Sequence, residues 1–415
     1  MPPALLLCGL FFLFRLRGFP FLQPTRVLRG LRAGRSDGSL RAMLTALGGT
    51  VGVGNISGVS LAVLAGGAGA ILWMWVCALC AMVLKYAEIT LAMDSRTPDG
   101  KGGYVGGTAH AMRAAGRRRA APLFAALCLA YTLLVGGAVQ ASAVSDCLAD
   151  CLSLSPLGSG VLLVALSLPV AMGGGKRISA LCARLVPLMC ALYLLAAVAV
   201  ITANAALLPS ALRAILAGAF VPQAGVGGAL GFLFSRAARI GAARGLMSNE
   251  GGCGTAPMAH VTAAAATPAR QGLFGIVEVF IDTTVICTLT GLMLLCAFPT
   301  LPLGLSGMAL VRAALATVFG GAAAPLLALA LFSFAYATVL CNLFYGQVCL
   351  SYFTEKRRAR LAFFLLFGSA LFYGALADVR AVWELCDLLL ACMTLLNLAF
   401  LLSKAKRIAA LTREL

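Results

Sequence analysis

The stretch LGGTVGVGNISGVSLAVLAGGAGA, residues 47–70, decides how this chain folds. It is apolar enough to lie in a membrane, yet it is crowded with glycine and contains one amide side chain, Asn55. Each glycine in a helix interior lowers helix stability by roughly 1 kcal/mol relative to alanine. Because a plain membrane anchor gains nothing from that cost, the glycines predict a helix interrupted at residues 52–54.

The composition identifies the kind of protein in which this stretch lies. Of 415 residues, 61% are hydrophobic and 11% are charged, and the mean hydropathy is +0.98. Apolar runs at 71–92, 272–298 and 325–353 reach the roughly 20 residues that a bilayer-spanning helix needs. The alternating ten-residue segments of a membrane barrel are absent from the sequence. We therefore expect an all-α integral membrane protein whose surroundings are the lipid bilayer.

The charges and cysteines exclude other classes. The formal net charge is +18, but the basic residues form short clusters between apolar runs, which is typical of membrane topology and not of a nucleic-acid partner. Fifteen cysteines are scattered through apolar runs and do not resemble a disulfide framework. With two histidines in the chain, a His-rich metal centre is not expected, and no cofactor is predicted.

The apolar segments predict a weak N-terminal helix at 4–22 and ten stronger helices. Basic connections alternate with connections poor in basic residues through all ten, which places the basic side and the C-terminus in the cytoplasm. The ten predicted spans are 43–65, 70–92, 121–145, 159–173, 185–208, 226–246, 271–298, 323–353, 361–377 and 382–403.

Ten helices divide into two groups of five with opposite membrane orientations, as an inverted repeat requires. The predicted parts are a short N-terminal helix and basic linker at 1–42, a first repeat at 43–208, a second repeat at 226–403 and a cytoplasmic tail at 404–415.

Glycine-rich segments occupy the first helix of each predicted repeat. They lie at residues 48–58 in the first, and at 225–231 and 241–254 in the second. Glycine-interrupted helices at matching places indicate the midplane binding site of a transporter.

An unwound backbone at membrane depth has a chemical use. Lipid cannot satisfy loose N–H and C=O groups, so such a break must be buried in protein or line a wet cavity. Freed carbonyls can coordinate Na⁺, and freed amides at a half-helix N-terminus can hold a carboxylate, which suits a zwitterion carried with a cation. The alternative is that the glycines only allow close helix packing. A nucleotide loop is disfavoured, because no strand precedes the glycines and no Walker lysine follows.

Several long motifs resemble one transporter family. TALGGTVGVGNISGV, residues 45–59, and GGAGAILWMWVCALCAMVLKYAEITLA, residues 66–92, resemble the first two core helices of the alanine or glycine:cation symporter family. ARGLMSNEGGCGTAPMAHVTAAA, residues 243–265, and QGLFGIVEVFIDTTVICTLTGLMLL, residues 271–295, resemble later family segments. The resemblance implies a LeuT-type 5+5 inverted-repeat helix bundle with an additional short N-terminal helix. It also implies Na⁺-driven import of alanine or glycine across the cell membrane by alternating access.

The resemblance also implies site residues. The substrate-binding set is Gly52, Val53, Gly54, Asn55, Thr338 and Asn342, and the cation-binding set is Thr50, Gly52, Asn55, Thr338 and Asp282. The sequence departs from the family pattern at several positions: Val53 replaces a hydroxyl residue, Ala337 a serine and Asn342 a tryptophan, Arg236 lies near a usually neutral position, and GGYVGG at 102–107 replaces GGPMYY. These departures predict a changed pocket and leave open a different substrate or coupling ion.

Ionisable residues at membrane depth are functional candidates. Glu278 and Asp282, four residues apart, are predicted to share a helix face, either coupling a cation or proton or bonding to neighbouring helix ends. Lys85 and Glu88 are interpreted as a structural i,i+3 pair. Glu250 is interpreted as part of a hinge or cytoplasmic gate.

Two alternatives to transport remain. The departures at the pocket are compatible with a transport-inactive relative or membrane sensor. A membrane-embedded enzyme would need a nucleophile with a base or a metal cluster, and Cys253 and His260 lack a matching constellation. Glu384 and Asp387, near the outer end of the last helix, are interpreted as solvated or structural.

Overall fold

The computed structural model describes residues 2–33, 38–100, 102–220, 236–264, 267–302, 304–305 and 307–415. These residues are mostly helical, with one two-stranded antiparallel hairpin. Seven helices in the described ranges are long and apolar enough to cross a membrane, or eight if one bent pair counts as a single span. The prediction of an all-α, multi-pass membrane protein is confirmed.

The first half of the chain carries eleven α-helices in the described residues. They are α1 (Pro2–Arg15), α2 (Pro24–Ala33), α3 (Ser39–Thr50), α4 (Ser57–Gly66), α5 (Ala70–Asp94), the hairpin β1 (Thr97–Pro98) and β2 (Tyr104–Val105), α6 (Thr108–Ala114), α7 (Ala120–Tyr131), α8 (Gln140–Leu152), α9 (Pro156–Met172), α10 (Gly175–Ala203) and α11 (Leu208–Ala219). A π-helical stretch, Thr132–Val139, joins α7 to α8, and a 3₁₀ turn, Ala205–Leu207, joins α10 to α11.

The second half follows the same pattern of long and interrupted helices. Its elements are α12 (Arg236–Asn249), α13 (Pro257–His260), α14 (Pro268–Val279), α15 (Thr288–Ala297), α16 (Gly307–Phe319), α17 (Ala323–Phe353), α18 (Arg357–Leu376), α19 (Arg380–Ser403) and α20 (Ala405–Arg413). A second π-helical stretch, Phe280–Cys287, joins α14 to α15, and a 3₁₀ turn, Gly320–Ala322, precedes α17.

Each of the ten stronger predicted helices overlaps a helix of the structure. The predicted helix 226–246 is represented by α12, since residues 221–235, with the first glycine-rich segment of that helix, lie outside the described residues. The predicted N-terminal helix is too long: α1 ends at Arg15, because Arg17 and Gly18 adopt positive φ angles of 56° and 73° that a helix cannot accommodate. The five-plus-five repeat stays a prediction.

The glycine-rich stretch at 47–70 is interrupted as predicted. Helix α3 ends at Thr50, one 3₁₀ turn spans Val53–Asn55, and α4 begins at Ser57 with its axis bent 68° from that of α3. The backbone at Gly52 is extended, with φ −137° and ψ −157°, and its N–H donates to Asn55 Oδ1 at 3.0 Å. The asparagine side chain thus replaces a hydrogen bond that the helix would have supplied.

A second interruption lies between α12 and α13, at residues 250–256. Three positive φ angles occur there, 49° at Glu250, 81° at Gly252 and 83° at Gly254. The glycines adopt this geometry without strain, whereas Glu250 is held in it by hydrogen bonds described below. Helices α12 and α13 both pack against α5, so the two interruptions face the same interior.

Close helix packing elsewhere also depends on glycine. In α18, a Cβ atom added to Gly374 would lie 2.1 Å from the carbonyl oxygen of Ala138, in the π-helical stretch before α8. That oxygen belongs to the backbone and cannot rotate away. The packing alternative for glycine in membrane helices therefore applies at this contact.

We expect Gly374→Ala to lower the free energy of unfolding by about 1–3 kcal/mol, because the new methyl group overpacks a helix contact. Thermal unfolding of the purified protein in detergent measures the change. Gly321→Ala is the matched control, since a Cβ atom there meets no atom within 4 Å. Equal melting temperatures for the two variants would contradict the prediction.

Candidate cation and substrate site

Asn55 joins the two halves of the chain at the first interruption. Its side chain is fully buried, and its Nδ2 donates to Asp282 Oδ1 at 2.8 Å and to Ser248 Oγ at 3.0 Å. Its Oδ1 accepts the N–H of Gly52. One amide group therefore uses both its donor and its acceptor to connect the α3–α4 break to α12 and to the second π-helical stretch.

Asp282 is a buried carboxylate held by neutral donors. Ser248 Oγ donates to its Oδ2 at 2.6 Å and Thr283 Oγ1 at 2.8 Å, while Asn55 donates to Oδ1. Among the described residues, no basic side chain lies within ion-pair distance of Asp282. A buried charge without a counter-charge is costly, so a cation bound beside this carboxylate would be strongly favoured.

The surroundings of Asp282 match what a hard cation requires. Carboxylate and hydroxyl oxygens converge on one point, and oxygen is the ligand type that such cations prefer. The two hydroxyl groups can rotate their hydrogens away from Asp282 and turn lone pairs toward an ion. Asp282 lies in the π-helical stretch Phe280–Cys287. Such stretches are frequent at functional sites.

Thr338, on α17, contacts the same break from another side. Its Oγ1 lies 3.2 Å from the carbonyl oxygen of Gly48 and 3.3 Å from that of Val51. A Cβ atom added to Gly52 would lie 2.8 Å from Thr338 Oγ1 and 3.5 Å from Gln140 Oε1. Residue 52 therefore has to be glycine for α17 and α8 to approach the break this closely.

Sequence reasoning missed Gln140 and Ser248. Gln140 is buried, and among the described residues its Oε1 accepts no hydrogen bond, so a free acceptor points toward the break. The usable signal for Gln140 was a polar residue inside the apolar run 121–145. For Ser248 it was a hydroxyl inside the glycine-rich segment 241–254.

The other predicted site residues lie around the break without converging on one point. Thr50 Oγ1 donates to Leu47 O of its own helix at 3.3 Å. Asn342 Nδ2 donates to Thr338 O at 2.9 Å, one helical turn away, and its Cβ packs against Gly136. The binding roles of all the predicted residues stay predictions.

A separate buried network contains Lys85, and here the sequence interpretation was wrong. Lys85 pairs with Glu278 of α14, Nζ to Oε1 at 3.0 Å, and not with Glu88 of its own helix. Glu88 Oε2 instead accepts the N–H of Gly254 at 3.0 Å and Nδ2 of Asn397 at 2.8 Å. The i,i+3 interpretation failed because burial brings stronger partners from α14, the second interruption and α19.

Glu278 and Asp282 serve different networks. Glu278 Oε2 lies 3.0 Å from His260 Nε2, whose Nδ1 lies 2.7 Å from Gln271 Nε2, and the side chains of Lys85 and Glu278 are fully buried. The π-helical stretch begins at Phe280, between the two acids. Both side chains are fully buried but contact different partners, and the predicted shared face stays a prediction.

Glu250 holds the second interruption in place. Its Oε1 accepts the hydroxyl of Tyr131 at 2.7 Å, and its Oε2 accepts the hydroxyl of Thr255 at 2.5 Å. The carboxylate therefore connects the irregular segment to α7. Its role as a hinge or gate stays a prediction.

Two interrupted helices that meet at a buried cluster of oxygen atoms, within a bundle of membrane-length helices, are typical of secondary transporters. Residues 1–414 match the family described as the sodium:alanine symporter family. The chain belongs to that family, as the resemblance in the sequence implied.

Two similar proteins illustrate the family. The sodium/alanine symporter AgcS of Methanococcus maripaludis is 36% identical over 373 residues, covering 87% of this chain and 80% of that protein. The probable sodium/glutamine symporter GlnT of Bacillus subtilis is 34% identical over 412 residues, covering 96% and 84%. These relatives are transporters and not enzymes, and Na⁺ is the coupling ion of the family.

A solved structure shares the fold. The manganese transporter of Eremococcus coleocola, in complex with an aromatic bis-isothiourea compound, aligns with a TM-score of 0.52 and 16% sequence identity. The alignment covers 91% of this chain and 92% of that one. At this identity the likeness concerns the arrangement of the helices alone.

We expect Glu278→Gln to lower the free energy of unfolding by about 3–5 kcal/mol, because it leaves Lys85 buried without its counter-charge. Adding Lys85→Met should restore part of the loss, and thermal unfolding in detergent measures both changes. The control is Asp378→Asn in the exposed pair with Arg380, where about 1 kcal/mol or less is expected. A double variant less stable than Glu278→Gln alone would contradict the ion-pair interpretation.

Proposed function

We propose that the protein is a secondary symporter that imports a small neutral amino acid, the size of alanine or glycine, using the Na⁺ gradient. The observation that carries the proposal is the buried contact from Asn55 to Asp282 and Ser248, which connects the broken helix to the cation-type oxygen cluster. A transported solute and its coupling ion need such adjacent sites if one is to affect the other. The names of AgcS and GlnT support sodium with alanine or glutamine as the type of cargo.

In this proposal Na⁺ binds beside Asp282. The hydroxyl oxygens of Ser248 and Thr283 complete the cluster, and Asn55 orients the carboxylate. Because the charge is buried and unpaired, the ion neutralises it and favours the conformation in which α12 and the break are in contact.

The amino acid binds at the break itself. The beginning of α4 supplies N–H groups for a carboxylate, as helix N-termini do. Gln140 Oε1 is a free acceptor for the ammonium group, and Thr338 supplies a hydroxyl. Val53 and Asn342 lie near these groups. At these two positions the sequence departs from the family pattern, so they are the residues expected to change the choice of substrate.

Cavities on two sides of the break support alternating access. One, of about 490 Å³, opens between α3, α10, α13 and α17 and contains Arg41 and Lys176, basic residues of the side that the charge pattern predicts to be cytoplasmic. The other, of about 210 Å³, lies between α4, α12 and α19. Between the two, the Tyr345 ring packs within 3.1 Å of where a Cβ on Gly49 would be. Rocking of one helix group against the other would open the two cavities in turn.

Proteoliposomes given radiolabelled alanine, glycine or glutamine under an inward Na⁺ gradient test the function. We expect accumulation that collapses with the gradient, and loss of uptake in Asn55→Ala, because that variant disconnects the break from Asp282. Asn204→Ala is the control, since Asn204 bonds only to the end of its own helix. Absence of uptake of all three amino acids under Na⁺ and proton gradients would favour a transport-inactive relative.

Sodium should also stabilise the purified protein through Asp282. A bound ion at about 100 times its dissociation constant adds about 2.7 kcal/mol to the free energy of unfolding. We expect Asp282→Asn to remove the dependence of the melting temperature on Na⁺ concentration at constant ionic strength. Asp378→Asn, which removes an exposed carboxylate, should keep it. Retention of the full Na⁺ effect in Asp282→Asn would place the ion elsewhere.

A further inference from the structure

The cavity of about 210 Å³, which we call the outer cavity, has charged groups that the proposed function leaves unused. It is lined by the break and α4 on one side, by Arg244 of α12 on the second and by Trp383 and Asp387 of α19 on the third. The sequence analysis interpreted Asp387 as solvated or structural. Asp387 lies across the cavity from the guanidinium group of Arg244, which carries the opposite charge.

The two charges face one space without touching. In the described part of the chain no ion pair joins Arg244 to Asp387, although the two charges are close enough to interact. Arg244 Nη1 donates to Met247 Sδ at 3.5 Å, and a thioether is a weak acceptor for a guanidinium group. Half-buried Arg244 therefore keeps donors for a ligand that carries a negative charge.

The opposite wall of the cavity contains two glycines together with Val53, Ser57 and Leu61. A Cβ atom added to Gly54 or to Gly58 would meet no atom within 4 Å, so both glycines border open space. They do not serve close helix packing, in contrast to Gly374. The outer cavity is thus roomy beside the break and has a positive and a negative group at its other walls.

We propose that the outer cavity is a second amino-acid site, in which Arg244 binds the carboxylate and Asp387 the ammonium of a free, zwitterionic amino acid. A guanidinium group presents paired donors that match a carboxylate, and a carboxylate accepts from an ammonium group. Such a ligand satisfies both side chains and adds no net charge. The inference rests on the proposed function, for which this site would collect the substrate next to the break.

The site selects against ligands that lack one charge. Lactate has the carboxylate but not the ammonium group, and alaninamide has the ammonium group but not the carboxylate. Each leaves one charged side chain without a partner, and the loss of binding energy is larger at half-buried Arg244 than at Asp387, which is exposed. L-Alanine should therefore bind more tightly than either analogue.

Trp383 provides a readout that does not depend on transport. In the full-length protein in detergent with Na⁺, and in an Asn55→Ala background that disables the break, L-alanine should change the tryptophan fluorescence. The response should be absent in Trp383→Phe. Arg244→Gln and Asp387→Asn should each weaken L-alanine binding at least tenfold. Arg239→Gln and Glu384→Gln, on the same two helices but outside the cavity, should leave binding unchanged.

Ligand analogues show whether Arg244 and Asp387 bind the two charged groups of the ligand or only interact with each other. Asp387→Asn should lose the preference for alanine over lactate, and Arg244→Gln the preference over alaninamide. Gly58→Leu, which fills the cavity and keeps both charges, should abolish the fluorescence response. Unchanged alanine binding in both charge variants, or an equal loss for all three ligands, would overturn the proposal.

The two levels of the proposal fail in different ways. If the wild-type protein takes up amino acids and the variants Arg244→Gln and Asp387→Asn do so with unchanged KM, the outer site is wrong and the symporter function stands. If no amino acid is taken up but Trp383 responds to L-alanine with the expected charge preference, the outer site stands and the symporter function is wrong.

Discussion

The fold depends on one amide group. Asn55 is fully buried and satisfies its donor and acceptor at the same time, accepting from Gly52 and donating to Asp282 and Ser248. Without it, the N–H of Gly52 would be exposed to an environment that has no water to replace the lost hydrogen bond. The helix break and the contact between distant parts of the chain are therefore one structural feature.

The polar groups of the interior are divided between two networks with different chemistry. Around Asp282 the hydrogen-bond donors are neutral, and no basic side chain of the described residues lies within ion-pair distance. Around Glu278 the charge is already balanced by Lys85, and His260 takes the other carboxylate oxygen. Two acids only four residues apart thus have different surroundings, one held by neutral donors and the other paired with a basic side chain.

The helices could be predicted from the apolar runs, because a membrane-spanning backbone must satisfy its own hydrogen bonds and a helix does so. The position of the break could be predicted from residues 47–70, because glycine has a low helix propensity. The partners of the ionisable residues could not. Helical periodicity paired Lys85 with Glu88 and put Glu278 and Asp282 on one face. The partners come from other helices: Lys85 pairs with Glu278, and Asp282 accepts from Asn55 and Ser248.

By itself, the sequence determined the class of protein, the family, the interruption at Gly52 and the presence of Asn55 there, since each follows from composition or from local residue order. Only the tertiary structure decided that Gln140 and Ser248 lie beside the break, that Asp282 lacks a basic partner among the described residues, and that Arg244 and Asp387 line one cavity. Each of these involves side chains on helices far apart in the chain. These side chains come together only through the packing of the helices. Local sequence patterns do not reveal that packing.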